Sequence, residues 1–373
     1  MRESWEIKRI GDVCEVLDSK RKPITKNNRQ SGSIPYYGAT GIQDYVKDYI
    51  FDGRYLLIGE DGAKWGKDDN TAFIIEGKSW VNNHAHILQL HSNVIDSFVR
   101  YYLNGKDLNS FITGAVVPKL TQAALVSIPI PVPPLQEQEQ IVAELDLLTG
   151  IIDKQKQQLQ ELDTLAQSIF YDMFGNPMEN DKGWEKKQIG KICASKKQIQ
   201  RASKRFKDSD IIRYIDISSI DNINNVMTST TSYGFGDAPS RAQQVVEIGD
   251  VLISLVRPNL NNVAMVSEDG TDLVASSGFC VLRANCEIVK EFLFYSVKMK
   301  CFTDYLMQRV SGANYPAVRE DDITGYNIIL PPLELQASFA KKIQSIESQK
   351  ESINRSIAES QKLFDYTMDK YFG

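Results

Sequence analysis

A chain of 373 residues exceeds the usual size of one domain and is long enough to bury two sizeable cores. No apolar run approaches the ~20 residues that a membrane span needs, and the opening Met1-Arg2-Glu3-Ser4-Trp5 lacks the apolar core of a signal peptide, so a soluble cytoplasmic chain is expected. The net charge of −5 excludes a uniformly basic nucleic-acid binder, but affinity for phosphate follows local charge, and charge is unevenly spread along this chain.

The chain opens on Trp5-Glu6-Ile7-Lys8-Arg9-Ile10-Gly11-Asp12-Val13-Cys14 and passes through Lys20-Arg21-Lys22 and Tyr36-Tyr37-Gly38-Ala39-Thr40-Gly41. Short β-rich runs at 55–58, 72–75 and 85–88, bounded by Gly, Asn and Asp, predict strands, and an amphipathic stretch at 98–103 predicts a helix. Lys64-Trp65-Gly66-Lys67 and Lys119 fall in the intervening loops. After Pro133-Pro134 the period changes. Ile141, Leu145, Leu148, Ile152, Gln155, Leu159, Leu162, Ala166, Ile169 and Met173 alternate in steps of four and three, the seam of a left-handed coiled coil. This segment holds eight acids and two bases, Lys154 and Lys156, between Leu135 and Gly175. Phe174-Gly175-Asn176-Pro177 is a strong stop signal.

A second globular part begins at Trp184, and from Lys186 to Lys207 it carries nine Lys/Arg and no acid. Strands are expected at 250–253 and 279–282 and a helix at 292–295. A second seam follows Pro331-Pro332: Phe339, Ile343, Ile346, Lys350, Ile353, Ile357, Ser360, Phe364, Thr367 and Tyr371. About 38 residues at ~1.5 Å rise make a rod of roughly 57 Å. The polar Gln155 and Lys350 interrupt the seams, where such residues can fix register.

The two halves repeat. Trp5 to Cys14 matches Trp184 to Cys193 at an offset of 179, while Gly114-Ala115, Pro133-Pro134-Leu135 and Phe174-Gly175 match Gly312-Ala313, Pro331-Pro332-Leu333 and Phe372-Gly373 at 198 without a gap. The 19 additional residues therefore lie inside the second globular part. Because helix one leaves the first domain and helix two starts at the second, the pair should run antiparallel. The expected class is α+β: two pseudo-repeated globular domains, residues 1–134 and 176–332, separated by two long antiparallel coiled-coil helices, 135–175 and 333–373. Five cysteines without a C-x-x-C pair argue against disulfides and thiolate zinc; Cys14 and Cys193, at one repeat position, are expected in cores.

Catalytic readings find little support. Gly77-Lys78-Ser79 hints at a phosphate loop, yet position 72 is Ala and Val81 onward reads as a strand. Asp61, Glu76 and Lys78 resemble a Mg²⁺-nuclease set without a counterpart in the second domain. His84, His86 and His91 cluster in sequence but lack a fourth zinc ligand. A coiled-coil adaptor without DNA specificity accounts for the repeat and the helices, but not for the acid-free stretch from Lys186 to Lys207.

The W-E-x-K-x-I-G-D-V opening, I-P-Y-Y-G-A-T-G, I-G-E-D-G-A, the P-P-L-x-x-Q entry to each helix and the F-G-N-P exit resemble the specificity subunits of type I restriction-modification enzymes, over essentially the whole chain. The resemblance implies two target recognition domains that read the halves of a split, asymmetric double-stranded DNA site, and helices that set the unread spacer and dock two methyltransferase subunits, to which restriction subunits are added. It further implies no cofactor in this chain, with S-adenosylmethionine, ATP and Mg²⁺ on the partners. Arg and Lys suit guanine, Asn and Gln suit adenine. The expected DNA-contacting set is Lys20, Arg21, Lys22, Tyr37, Gly38, Thr40, Lys64, Trp65, Lys67 and Lys119 in the first domain. In the second it is Lys196, Lys197, Arg201, Lys204, Arg205, Arg241, Arg257, Asn259, Asn261, Asn314, Tyr315 and Arg319.

Overall fold

The computed structural model describes residues 5–194, 198–311 and 316–373. Its first half contains β1 (Glu6–Arg9), the one-turn helix α1 (Ile10–Val13), β2 (Cys14–Val16), β3 (Ser31–Gly38), β4 (Gly41–Val46), β5 (Phe51–Gly59), β6 (Ala72–Val81), β7 (Ala85–Leu90), α2 (Asp96–Asn104), α3 (Gln122–Ser127), β8 (Pro129–Val132) and α4 (Leu135–Phe174). Then come β9 (Lys186–Gln188), α5 (Ile189–Ile192), β10 (Ile211–Ile215), β11 (Ile220–Asp221), β12 (Val226–Met227), β13 (Thr231–Gly234), β14 (Ala242–Val245), β15 (Val251–Ser254), β16 (Val263–Met265), β17 (Leu273–Ser276) and β18 (Phe279–Leu282). Helices α6 (Lys290–Lys298), α7 (Lys300–Met307) and α8 (Glu320–Thr324), strand β19 (Asn327–Ile329) and α9 (Leu333–Phe372) complete the chain. Two compact units result: residues 1–157 with 353–373, and residues 158–352. Each takes a share of both long helices. Among the described residues no helix is long and apolar enough to cross a membrane.

In the first unit a six-stranded sheet has the order β2-β7-β5-β6-β3-β4, antiparallel throughout except for the β3–β6 pair. Strand β5 is covered on both faces, which explains its unbroken apolar run. Leu56 and Ile58 join Phe98 and Leu103 of α2, Ile141 and Leu145 of α4, and Met368 and Phe372 of α9; Leu57 points the other way, among Phe51, Ile75, Val81 and Ile87. The opening turns of α4 thus pack on the closing turns of α9. Farther along the seam, Gln155 Nε2 donates to Ser356 Oγ at 2.7 Å.

The second unit repeats this plan. Strands β16-β15-β18 form an antiparallel sheet in which Val251 and Ile253 face the helices while Leu252 faces a separate core with Ile215, Ala264 and Val281. By register, Val251, Leu252 and Ile253 stand where Leu56, Leu57 and Ile58 stand in the first unit. A second sheet, β13-β10-β17-β14, has no counterpart of the same order among the described residues. The closing turns of α4 pack on the opening turns of α9 through Phe170, Phe174, Phe339 and Phe292 of α6, with Phe170 stacked on Phe292 at 5.5 Å. Buried Lys350 reaches Asp163 of α4 at 3.1 Å, so both polar seam residues have a partner on the opposite helix.

Two repeated motifs now have physical roles. The offsets of 179 and 198 meet in one strand pair per unit: β1 on β8 sets Ile7 opposite Pro131, and β9 on β19 sets Lys186 opposite Ile329. The Gln of P-P-L-x-x-Q locks the helix entry. Gln138 Oε1 accepts from Ile95 N at 2.9 Å and its Nε2 donates to Pro133 O at 2.9 Å; Gln336 does the same with Val289 N and Pro331 O, both at 2.8 Å. Gly175, at φ +75°, stops α4 as its N–H returns to Tyr171 O at 2.8 Å.

Candidate nucleic-acid interface

In each unit the core strand runs into a loop pinned by a hairpin. Past β5, Glu60 O accepts from Leu120 N at 2.8 Å, and Thr113 and Lys119 exchange backbone bonds of 2.9 and 2.8 Å. Past β15, Leu255 O accepts from Val318 N at 2.9 Å, and Ser311 and Ala317 exchange bonds of 2.9 and 3.0 Å. Even the hydroxyls correspond: Thr113 Oγ1 donates to Lys119 O, Ser311 Oγ to Ala317 O. These junctions hold the I-G-E-D-G-A and Arg257-Pro258-Asn259 sequences.

The first unit fills this junction with charge. Glu60 is buried; its Oε1 takes Lys119 Nζ at 2.7 Å and its Oε2 takes the Arg21 guanidinium. Arg21 also pairs with Asp18 at 3.1 Å and donates to Ala85 O at 2.8 Å. Both nitrogens of buried His86 face polar partners, Nδ1 the Asp18 carboxylate and Nε2 the Leu120 carbonyl at 2.7 Å. Burial alone raises the Glu60 carboxyl, but hydrogen bonds from Lys119 and Arg21 and the charges of His86 and Arg21 outweigh it and hold it below its ordinary value. Asp18, Glu60 and His86 offer ligand atoms within 4.8 Å of one another. Their carboxylate oxygens are nevertheless engaged by Arg21, Lys119, His86 and the Ile87 N–H, so the cluster is an ion network with its acceptors filled.

Of the first-domain residues nominated from sequence, Lys20, Lys22, Thr40 and Lys64 are exposed, and Lys67, also exposed, pairs with Asp369 of α9 at 2.8 Å. Tyr37 is half-buried, 6.0 Å from the Phe73 ring, and burial pushes its hydroxyl up. Three nominations require correction. Trp65 is 6% exposed and its indole donates to Gly59 O at 3.0 Å, which makes it a core residue. Arg21 is spent on the ion network, and Gly38 is buried at the end of β3 with Gln43 against it. Lys119 is shared between Glu60 and partial exposure.

In the second domain Arg201, Lys204 and Arg205 are exposed around a 3-10 turn at Ala202–Lys204, and Arg241 is exposed before β14. Arg257, at φ +49°, and Asn259 are exposed on the turn at Pro258–Leu260, which is tied to the hairpin by Arg257 N donating to Pro316 O at 2.7 Å. Asn261 closes that turn at φ +50° and donates to Lys298 O at 3.2 Å, so its amide is structural. Arg319 is exposed at the start of α8. Lys196, Lys197, Asn314 and Tyr315 lie outside the described residues.

The rival chemistries do not assemble. Glu76 pairs with Arg54 at 3.2 Å, Lys78 sits over the Tyr49 ring at 4.5 Å, and Asp61 is engaged by His84. Gly77-Lys78-Ser79 lies inside strand β6 rather than before a helix. Cys14 and Cys193 are buried, and burial, followed by the charges of Asp18 and Asp250 respectively, pushes each thiol up to about 12. Sequence reasoning quoted the segments that hold Glu60, Gln138 and Gln336 without seeing their roles; the recurrence of Gln in both helix entries was the available signal for two of them.

A family model described as the type I restriction modification DNA specificity domain matches residues 2–164 and 181–360. A Haemophilus influenzae protein assigned as a type I restriction enzyme specificity subunit is 40% identical over 39% of this chain; the match spans 38% of that relative's length. The MjaVIII type I specificity subunit of Methanocaldococcus jannaschii is 24% identical over 93% of this chain and 87% of its own. The fold is that of the type I system S subunit crystallised from M. genitalium, at TM-score 0.60, 12% identity and coverage of 100% and 98%. With a family match on both globular parts and one strand–helix plan built twice, the chain belongs to the type I restriction-modification DNA specificity family and recognises DNA sequence.

Proposed function

We propose that each unit reads one half of a split, asymmetric DNA site, that α4 and α9 set the length of the unread spacer, and that the helices dock two methyltransferase subunits, with restriction subunits added to that core. The supporting observation is the repetition itself: two loop-and-hairpin junctions with matching backbone bonds, each at the end of an equivalent core strand. Exposed Lys20, Lys22, Thr40 and Lys64 serve the first half-site, and Arg201, Lys204, Arg205, Arg241, Arg257, Asn259 and Arg319 the second. Phosphate contacts set position and base contacts set sequence. Leu147, Leu165, Leu363 and Tyr366 leave apolar surface on the helices, at 65, 47, 52 and 68% exposure, of the kind a protein partner covers.

In this reading methyl transfer and cleavage take place in the cytoplasm on the partner subunits, which bind S-adenosylmethionine, ATP and Mg²⁺. Four residues inserted into α4 add ~6 Å, nearly two base-pair steps. Methylation-sensitive sequencing of a host that carries this variant with its partners should show a changed spacer between unchanged half-sites. A changed half-site at constant spacing overturns the ruler.

A further inference from the structure

We propose that the hairpin Thr113–Lys119 is a reading finger whose tip residues Val116 and Val117 contact thymine methyl groups in the major groove of the first half-site. The inference rests on the bipartite reading above and names a specificity-determining pair within it. Val116 is 94% and Val117 61% exposed, two adjacent β-branched residues in water at the tip of a turn. The base of that turn is firmly held. Thr113 and Lys119 exchange backbone bonds, Leu120 N donates to Glu60 O, and Lys119 Nζ grips the buried Glu60 carboxylate at 2.7 Å. Gly114, at φ +93°, with Val117 O 2.4 Å from where its Cβ would stand, admits no side chain and fixes the turn's shape.

The repeat identifies what varies on this frame. In the stretch without gaps, Gly114-Ala115-Val116-Val117-Pro118 aligns with Gly312-Ala313-Asn314-Tyr315-Pro316. Gly, Ala and Pro recur, while the two central residues change from apolar to polar and aromatic. A sequence frame of Gly, Ala and Pro kept twice, with the two residues inside it exchanged, is the pattern expected of a reader that serves two different sequences. The adjoining loop carries exposed Lys64, a cation suited to a flanking phosphate. The one apolar group that DNA presents in its major groove is the thymine C5 methyl, which suits valine.

The test uses the full chain and a duplex bearing its recognition site, with each first-half thymine replaced in turn by deoxyuridine, which removes only the methyl. Loss of one buried methyl should weaken binding about fourfold at one or two positions. The double variant V116A/V117A should bind thymine and deoxyuridine duplexes equally there, with second-half preferences intact. Unchanged thymine sensitivity in the variant, a wild-type protein indifferent to every first-half methyl, or a first half-site without thymine on either strand overturns the finger while leaving the bipartite reading in place. If the variant instead loses sensitivity in the second half-site, or base changes in one half prove inseparable from the other, the bipartite reading itself falls.

Discussion

The two junctions hold the same backbone with opposite chemistry. Where the first unit has Glu60, His86 and Lys119, the second has Leu255, Cys280 and Ala317 at the corresponding positions of β15, β18 and the hairpin. The hydrogen bonds that fix the hairpin run between main-chain atoms in both, so the side chains beneath are free to differ. A buried ion network and an apolar filling of similar volume are close in free energy, whereas half a network is costly. The comparison teaches that geometry at these sites is a property of the repeat, and side-chain chemistry a property of the individual unit.

The largest expected effect breaks the network in half. Glu60→Leu takes from Lys119 its carboxylate and from Arg21 one of its two, beside a buried His86, and should cost the first unit about 3–5 kcal/mol, measured by denaturant unfolding. The triple variant E60L/H86C/K119A reproduces the second unit's filling and leaves Asp18 paired with Arg21, so it should recover most of that loss. A triple variant as unstable as the single one contradicts the equivalence of the two junctions.

The shared helix lock should respond alike in both units. Gln138→Ala and Gln336→Ala each leave a part-buried backbone N–H without its acceptor and should cost about 1 kcal/mol; unequal losses in the two unfolding transitions would show that the locks differ. Acid separates the units in the other direction. Because the Glu60 carboxyl is held below its ordinary 4.5, its contribution is complete at neutral pH and disappears as pH falls through the folded value. The triple variant should lose that acid-sensitive portion when urea midpoints are compared from pH 7 to pH 3. The smallest effect is expected at the seam, where Lys350→Met removes a buried charge that Asp163 partly compensates and should change stability by no more than about 1 kcal/mol.

The long helices and their phase were legible because a four–three apolar seam and an offset without gaps leave no other reading; the helices are Leu135–Phe174 and Leu333–Phe372. The core strands of the first unit extend beyond their apolar runs, whereas β18 coincides with its own, Phe279–Leu282. Strand β6 runs ten residues from Ala72 to Val81, since its outer half pairs with β5 without an apolar alternation to betray it. The ion network was invisible, because Asp18, Arg21, Glu60, His86 and Lys119 are scattered over a hundred residues and only the fold assembles them. Trp65 was misread for a similar reason: amid Lys and Gly it resembles a loop residue, and only the Gly59 carbonyl beneath it shows where the indole belongs.

Exchange of residues 176–332 for the matching segment of another specificity subunit, followed by sequencing of methylated sites in a host that supplies the partners, tests the paired-reader account most directly. A new second half-site beside the original first half-site and spacer is the predicted result. Alteration of both halves together would contradict it.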